Sequence, residues 1–318
     1  MIRRQHRGAA ILSAMLVVAI VATLASAALW RQWRNTEVEI AERTRHQLGW
    51  VLTGAVDWAR LILREDARKG GTDHLGEPWA VPLEPAQLST FLAAEAGQTN
   101  VDRTGDSVYL SGRIFDLQSR LNLRNLVSQN GKPDPAALAA CQRLFHALDL
   151  PEEELRVLSG ALARNSLSTD APLSPQRFEQ LSWLGLSPGT LRTLQPYATW
   201  LPVATPVNLN TAPIVVLAAA VPGFERADAQ RLVGLRANAP FESLADAAQR
   251  VGHPLSDFDA STVSVSTRFF EVHGQLRSDQ ALLQERSVLQ RDGLEVRLLW
   301  RERGVALEAP LQSQRDPS

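Results

Sequence analysis

Residues 9–29, AAILSAMLVVAIVATLASAAL, form a run of 21 residues without a charge. As a helix rising about 1.5 Å per residue, this run covers the roughly 30 Å hydrocarbon core of a bilayer. It must be covered by lipid or by other apolar helices, and that requirement limits the fold more than any other feature of the chain. Its hold on lipid is modest. Nine Leu, Ile or Val residues stand beside eight Ala and three Ser or Thr, so the strongly apolar residues contribute only about −3 to −5 kcal/mol to insertion. Arg3, Arg4 and Arg7 precede the run and place the amino end in the cytoplasm, with Arg31 and Arg34 opposing them on the far side. A secretory signal cut after Ala25-Ser26-Ala27 also satisfies the small-x-small rule.

The residues that follow favour retention of the run. The first proline is Pro78, and Trp30 to Lys69 reads as one amphipathic helix with Trp33, Ile40, Leu48, Val51, Ala55, Trp58 and Ile62 spaced by three, four or seven. Gly70-Gly71 is the first convincing stop. The expectation is therefore one rod of about 60 residues, roughly 90 Å long, half in the bilayer and half packed on a domain.

The body of the chain reads as two kinds of material. Residues 107–117, SVYLSGRIFDL, alternate apolar positions and read as a strand with one buried face, as does STVSVSTRFFEV at 261–272. LLQERSVLQRDGLEVRLLW gives two further runs joined at Asp292-Gly293, a strong short hairpin signal. Between these strands the signals are helical. Asp134-Pro135, Pro151 before Glu152-Glu153, and Ser174-Pro175 sit where helices take a cap or a first-turn proline.

A basic leader ending in Gly8, with an apolar helix starting at once after it, resembles the type IV pilins and pseudopilins. The resemblance implies cleavage between Gly8 and Ala9 by a prepilin peptidase, and a mature helix that bundles with those of other subunits. Two positions depart from the family pattern: the mature chain would begin with Ala9 rather than Phe, and its fifth residue is Ser13 rather than Glu. In the family that Glu meets the amino terminus of a neighbouring subunit, a pairing that counts inside a low-dielectric bundle. Its absence, together with a large helical insertion, is similar to the K-type minor pseudopilins of type II secretion. GRIFDLQSRLNLRNL (112–126), which holds Asn122 and Leu123, and VNLNTAPIVVLAAAVPG (207–223), which holds Asn208, Leu209 and Asn210, resemble K-type segments at the same points.

The implied fold is α+β: a pilin-like long N-terminal helix packed on a small antiparallel sheet, with a large all-helical insertion of helix-hairpin-helix or SAM-like elements. The expected organisation is a leader at 1–8, the transmembrane half of the stem at 9–29 and its soluble half at 30–69. The sheet domain follows at 70–120, the insertion at 121–255, the rest of the sheet domain at 256–303, and a disordered tail at 304–318. The implied role is non-enzymatic: capping and initiating the secretion pseudopilus with I-, J- and H-type minor pseudopilins, with secreted exoproteins as further partners. The implied location is the bacterial inner membrane, single-pass, with the bulk of the chain in the periplasm. No cofactor is required, although calcium occurs in the family. Asp102/Asp106 and Asp257/Asp259 are the loop acids read against it, with solvation as the simpler account.

LNTAPIVVLAAAVPGFERADAQRLVGLR also resembles a helix-hairpin-helix module, with Val221, Pro222 and Gly223 as the hairpin. Such modules bind DNA phosphates, which leaves a membrane-tethered DNA-uptake protein as the rival reading. Charge argues against nucleic acid. Between Pro206 and His253 the four arginines 226, 231, 236 and 250 face Glu225, Asp228, Glu242 and Asp246, and the whole chain carries a net charge of −1. Signatures of catalysis are missing: the six histidines stand singly, no glycine-rich phosphate loop occurs, and Cys141, the only cysteine, falls on an apolar helix face. Trp79 is expected to plug the sheet core, with Glu77 solvated or capping.

Overall fold

A computed structural model describes residues 5–88, 108–128, 130–167, 174–278 and 282–304. The chain divides into two compact units, Met1–Gly54 and Ala55–Ser318. The helix α1, Gln5–Lys69, contributes to both. With no proline and only isolated glycines, nothing interrupts its backbone ladder until Gly70 and Gly71, whose φ values of 67° and 116° end it in the left-handed region. It is the one helix among the described residues long and apolar enough to cross a membrane, and its most apolar stretch has no covered residue.

In the second unit, α1 buries Val56, Ala59 and Leu63 against Trp79, Ile114, Phe270, Val272 and Leu289. This face lies one position away from the expected Ala55, Trp58 and Ile62, which are only half-buried. The spacing of three and four holds in both registers, so periodicity alone does not choose between two adjacent apolar stripes. Trp79 is 1% exposed and meets Phe270 edge-on at 5.2 Å, as a core plug should.

The sheet has five antiparallel strands: β1 (Leu83–Gln87), β2 (Tyr109–Asp116), β7 (Phe269–Arg277), β8 (Leu282–Asp292) and β9 (Glu295–Arg303), in the spatial order β1-β2-β7-β8-β9. Asp292 pairs with Glu295 across the two-residue loop Gly293-Leu294, where Gly293 takes a φ of 58°. β1 contains Pro85, which cannot donate to a ladder; its place on an outer edge and the register shift between Leu83 and Ala86 accommodate it. The chain between neighbouring strands β2 and β7 forms the insertion.

The insertion has its own core. Its helices are α2 (Pro135–Ala147), α3 (Glu152–Leu167), α4 (Pro188–Leu194), α5 (Ile214–Ala220), α6 (Arg226–Asn238) and α7 (Leu244–Val251). Two short parallel pairs, β3 (Leu121–Asn122) with β4 (Ala198–Thr199) and β5 (Val207–Asn208) with β6 (Val263–Ser264), tie its ends. Leu123, Leu144, Phe145, Leu209, Leu217 and Phe241 are fully enclosed. Asp134 caps α2 by accepting from the Ala137 amide at 3.0 Å, with Pro135 in the first turn. After Pro175 the expected helix is a short 3₁₀ turn, Phe178–Leu184, which Gly185 closes at a φ of 104°. Cys141 is buried on α2, and desolvation pushes its thiol up to about 12, so it serves as packing.

Gly112 leaves no room for a side chain, because a Cβ there would stand 2.9 Å from the His273 carbonyl oxygen. Replacing Gly112 with Val is expected to cost about 1–3 kcal/mol through overpacking at the β2–β7 ladder. Urea unfolding followed by circular dichroism measures it, and a wild-type midpoint would show that the strand yields without strain.

Candidate functional site

Asp116 ends β2 on the same face as Leu110 and Ile114, so the period of two carries a carboxylate into the interior. It is 4% exposed and accepts four hydrogen bonds: from the Gln118 amide at 2.7 Å, Asn208 Nδ2 at 3.0 Å, Thr211 Oγ1 at 2.5 Å and Thr267 Oγ1 at 2.6 Å. Burial nevertheless pushes its carboxyl above the usual range, against the pull of those donors. The donors come from the insertion on one side and from the return to the sheet on the other, so one side chain joins both cores.

A second buried acid continues this network. Asp73 accepts from the Thr267 amide at 2.7 Å and from Arg291, while its carbonyl accepts from Asn208 Nδ2 at 3.1 Å. Burial raises the Asp73 carboxyl as well, and the Arg291 charge only partly offsets it. Arg291 also reaches Asp66 at 2.6 Å and lies 4.9 Å from the Phe270 ring centre. Glu77 stands next to this cluster. It neither caps a helix through its side chain nor points into solvent: it is half-buried and accepts from Trp79 Nε1 at 2.7 Å and the His74 amide at 2.9 Å. Desolvation, with Asp66 nearby, raises its carboxyl to about 7.

Asp66, Asp73 and Glu77 form the one group of three acids among the described residues placed closely enough to share an ion. Calcium takes six to eight oxygens. Here a guanidinium already holds two of the three carboxylates, so the cluster is an ion-pair node and does not fit calcium as arranged. The loop acids read from sequence are not brought together: Asp257 faces His253 at 3.4 Å, Asp259 accepts from the Ser261 amide at 2.8 Å, and Asp102 and Asp106 lie outside the described residues.

The asparagines of the two quoted segments act as staples. Asn122 holds the Val203 carbonyl at 2.8 Å and Thr205 Oγ1 at 3.0 Å, and accepts from the Arg124 and Leu201 amides. Asn210 pairs with both backbone groups of Phe241, at 3.0 and 2.9 Å. Leu123 and Leu209 are core residues beside them. In sequence Asp73, Asp116, Thr211, Thr267 and Arg291 stood out less. Asp116 left one signal, an acid at an inward position of an otherwise apolar alternation.

The hairpin forms between α5 and α6, with Val221 buried, Pro222 and Gly223 exposed, and Gly223 at a φ of 75°. The fold uses most of the basic residues around it. Arg236 donates to the Leu209 carbonyl at 2.6 Å, and its burial lowers its pKa to about 10. Arg231 donates to the Val251 carbonyl, and Arg250 to the carbonyls of Leu235, Ala239 and Pro240. Arg226 is left beside Glu225 and Asp228, whose carboxylate caps the Glu225 amide at 3.0 Å. A phosphate would find little positive charge here.

Gly8 and Ala9 lie inside α1, which starts at Gln5, so the helix begins before the expected leader boundary. Ser13 donates its hydroxyl to its own helix, to the Ala10 carbonyl at 2.9 Å, and Thr23 and Ser26 do the same to Ile20 and Ala22. The polar groups of the apolar run are therefore satisfied internally, which lowers their cost in lipid.

Asp116→Ala leaves the Thr211 and Thr267 hydroxyls and the Gln118 amide without their acceptor and is expected to cost about 3 kcal/mol or more in urea unfolding; a loss under 1 kcal/mol would remove Asp116 as the junction. For Glu77, the folded form keeps a proton between pH 4.5, its ordinary value, and about 7 that the unfolded chain has lost. Stability therefore falls as pH rises through that window and levels off above it. Glu77→Gln keeps an acceptor for Trp79 and should flatten the fall, with Asp73 and Asp116 supplying what remains. Melting temperatures from pH 4.5 to 8 test this, and an unchanged slope would contradict it.

Comparison with known proteins agrees with this architecture. Two family profiles described as type II secretion system (T2SS), protein K match residues 119–203 and 207–267. A type II secretion system protein K from Pseudomonas aeruginosa is 28% identical over 95% of this chain and 94% of its own length. One from Pectobacterium carotovorum is 26% identical over 95% and 98%. Among solved structures, a chain in the GspK-GspI-GspJ complex of the enterotoxigenic Escherichia coli type 2 secretion system superposes with a TM-score of 0.63 at 18% identity, over 84% of this chain and 99% of that one, and so shares its fold. Two matched profiles, relatives aligned over nearly their full length, and a helical module inserted between neighbouring strands behind a long apolar helix make the chain similar to type II secretion system protein K along nearly its whole length.

Proposed function

We propose that the protein is a minor pseudopilin that caps and initiates the type II secretion pseudopilus and so helps export folded proteins across the outer membrane. Its role is assembly rather than catalysis. The prepilin peptidase cuts between Gly8 and Ala9, the new helix stays in the inner membrane with its bulk in the periplasm, and it then bundles with I-, J- and H-type minor pseudopilins. The solved GspK-GspI-GspJ complex, one chain of which shares this fold, supports the first two of these partners.

The observation that carries the reading is the state of Ser13 on an uncovered apolar helix. Ile11, Leu12, Leu16 and Val18 are each more than 60% exposed, so this surface needs lipid or sister helices around it. Where a repeating subunit presents a carboxylate, Ser13 offers a hydroxyl already donated to Ala10. A subunit stacked above it has no charge to pair with its amino terminus, which suits a terminal position. A large insertion spliced between β2 and β7 would crowd its copies if it were repeated along a filament, which favours the same position.

Mass spectrometry of the protein from membranes is expected to give a mature chain starting at Ala9, and Gly8→Val to leave a full-length precursor. Membranes that also yield small pilin-like proteins on co-purification would support the tip complex. A mature chain starting at Ala28 would overturn the reading.

A further inference from the structure

A cavity of about 530 Å³ lies between the insertion and the sheet, lined by neither Asp116 nor the hairpin residues. Its volume falls within the range of ligand sites. Four arginines line it: Arg120 and Arg124 from the segment around β3, Arg177 from the insertion, and Arg286 from β8. Two indoles wall it. The guanidinium groups of Arg177 and Arg286 each lie 5.1 Å from the centre of the Trp300 ring, and that of Arg124 lies 5.6 Å from the Trp200 ring.

The charges in this cleft do not balance. Arg286 pairs with Glu179 at 2.8 Å and Glu302 at 3.3 Å, and Arg177 with Glu302 at 3.4 Å. Glu271 on the floor is 6% exposed and is held by His273 at 2.7 Å. Although burial opposes it, that bond and the nearby charges of Arg120 and Arg286 hold its carboxyl down at about 2, so it is ionised. Four guanidinium groups thus face three carboxylates. Neither Arg120 nor Arg124 makes a side-chain hydrogen bond or ion pair among the described residues, and Arg286 Nε is buried without a hydrogen-bond partner there. Arg124 is positioned by Trp200 and by Asn122, which accepts from its amide at 3.1 Å and is itself fixed to Val203 and Thr205, while Arg120 lies near the Glu271 charge with its donors still open.

We propose that this cleft binds an acidic segment of another polypeptide, with a carboxylate on Arg120 and Arg124 and its neighbouring apolar side chains against Trp200 and Trp300. Guanidinium forks match the two oxygens of a carboxylate, and arginines backed by aromatic rings hold such groups well. Leu201, Val288 and Leu299 supply apolar wall between the cations, which a lone small anion would leave uncovered. A nucleic-acid strand fits less well, because its closely spaced phosphodiesters would meet Glu179, Glu271 and Glu302 and it brings no aliphatic side chain to the apolar wall. The proposal does not depend on a tip position and can fail while the pseudopilin reading stands.

The test uses the full chain in detergent micelles and fluorescence anisotropy with a labelled decapeptide of alternating Glu and Ala, its Gln-Ala counterpart, and a dT12 oligonucleotide. Saturable binding of the Glu peptide is expected, with the Gln peptide and dT12 at least tenfold weaker. Arg120→Gln and Arg124→Gln should each weaken the Glu peptide about tenfold, with unchanged circular dichroism. Arg124→Lys, which keeps the charge and loses the fork, should fall between. Equal binding of the Gln peptide, tighter binding of dT12, or full affinity in both Gln variants would overturn the proposal; a variant that loses its native spectrum is replaced by the Lys substitution at the same position.

Discussion

A buried carboxylate at the end of β2 links two cores that would otherwise be independent. The sheet core around Trp79 and Phe270 and the helical core around Phe145 and Phe241 each exclude water with their own apolar residues. Apolar contact is not directional and cannot by itself set the orientation of one core on the other. Hydrogen bonds are directional. Asp116 takes donors from the insertion at Asn208 and Thr211 and from the sheet at Thr267. Because leaving any of these groups unpaired in a dry site costs about 1–3 kcal/mol, only an arrangement that satisfies all of them is stable. Asp73 and Arg291 extend the same logic to the end of α1 through Asp66.

The amino-terminal helix is built on the opposite principle. Its apolar residues face outward, and its hydroxyls are closed within its own turns. Such a helix is complete as a backbone but incomplete as a surface, and its modest insertion energy leaves it free to exchange lipid for sister helices of similar polarity. A strongly apolar span would be harder to extract. The Ala-rich composition that makes the segment a weak anchor also makes it thin, which lets helices approach closely.

Much of this was legible in the chain because the signals are local. The stem, its stop at Gly70, the hairpin at Gly293 and the cap at Asp134 each rest on a few neighbouring residues whose backbone preferences are strong. What was not legible depends on pairings across long separations. β1 escaped because Pro85 argues against a strand unless an edge position is known. The stem face was displaced by one residue because two adjacent stripes carry equal apolar spacing. Glu77 read as solvated or capping because nothing nearby in sequence shows that Trp79 donates to it, and Arg291 carried no signal because its partners Asp66 and Asp73 are more than two hundred residues away.

The helix-hairpin-helix segment shows how one local pattern can serve different ends. Its hairpin has the glycine at positive φ and the exposed Pro-Gly that a phosphate-binding turn requires. Yet a basic residue counts toward a nucleic-acid surface only if its charge remains available there. Arg231, Arg236 and Arg250 each donate to carbonyls at helix ends or in loops, which places cations where helix dipoles favour them. The arginines that would have drawn phosphate instead close the module on itself. Arg120 and Arg124, in the cleft beside β3, are not spent in this way: neither makes a side-chain hydrogen bond or ion pair among the described residues, so their donors remain open to a carboxylate from outside.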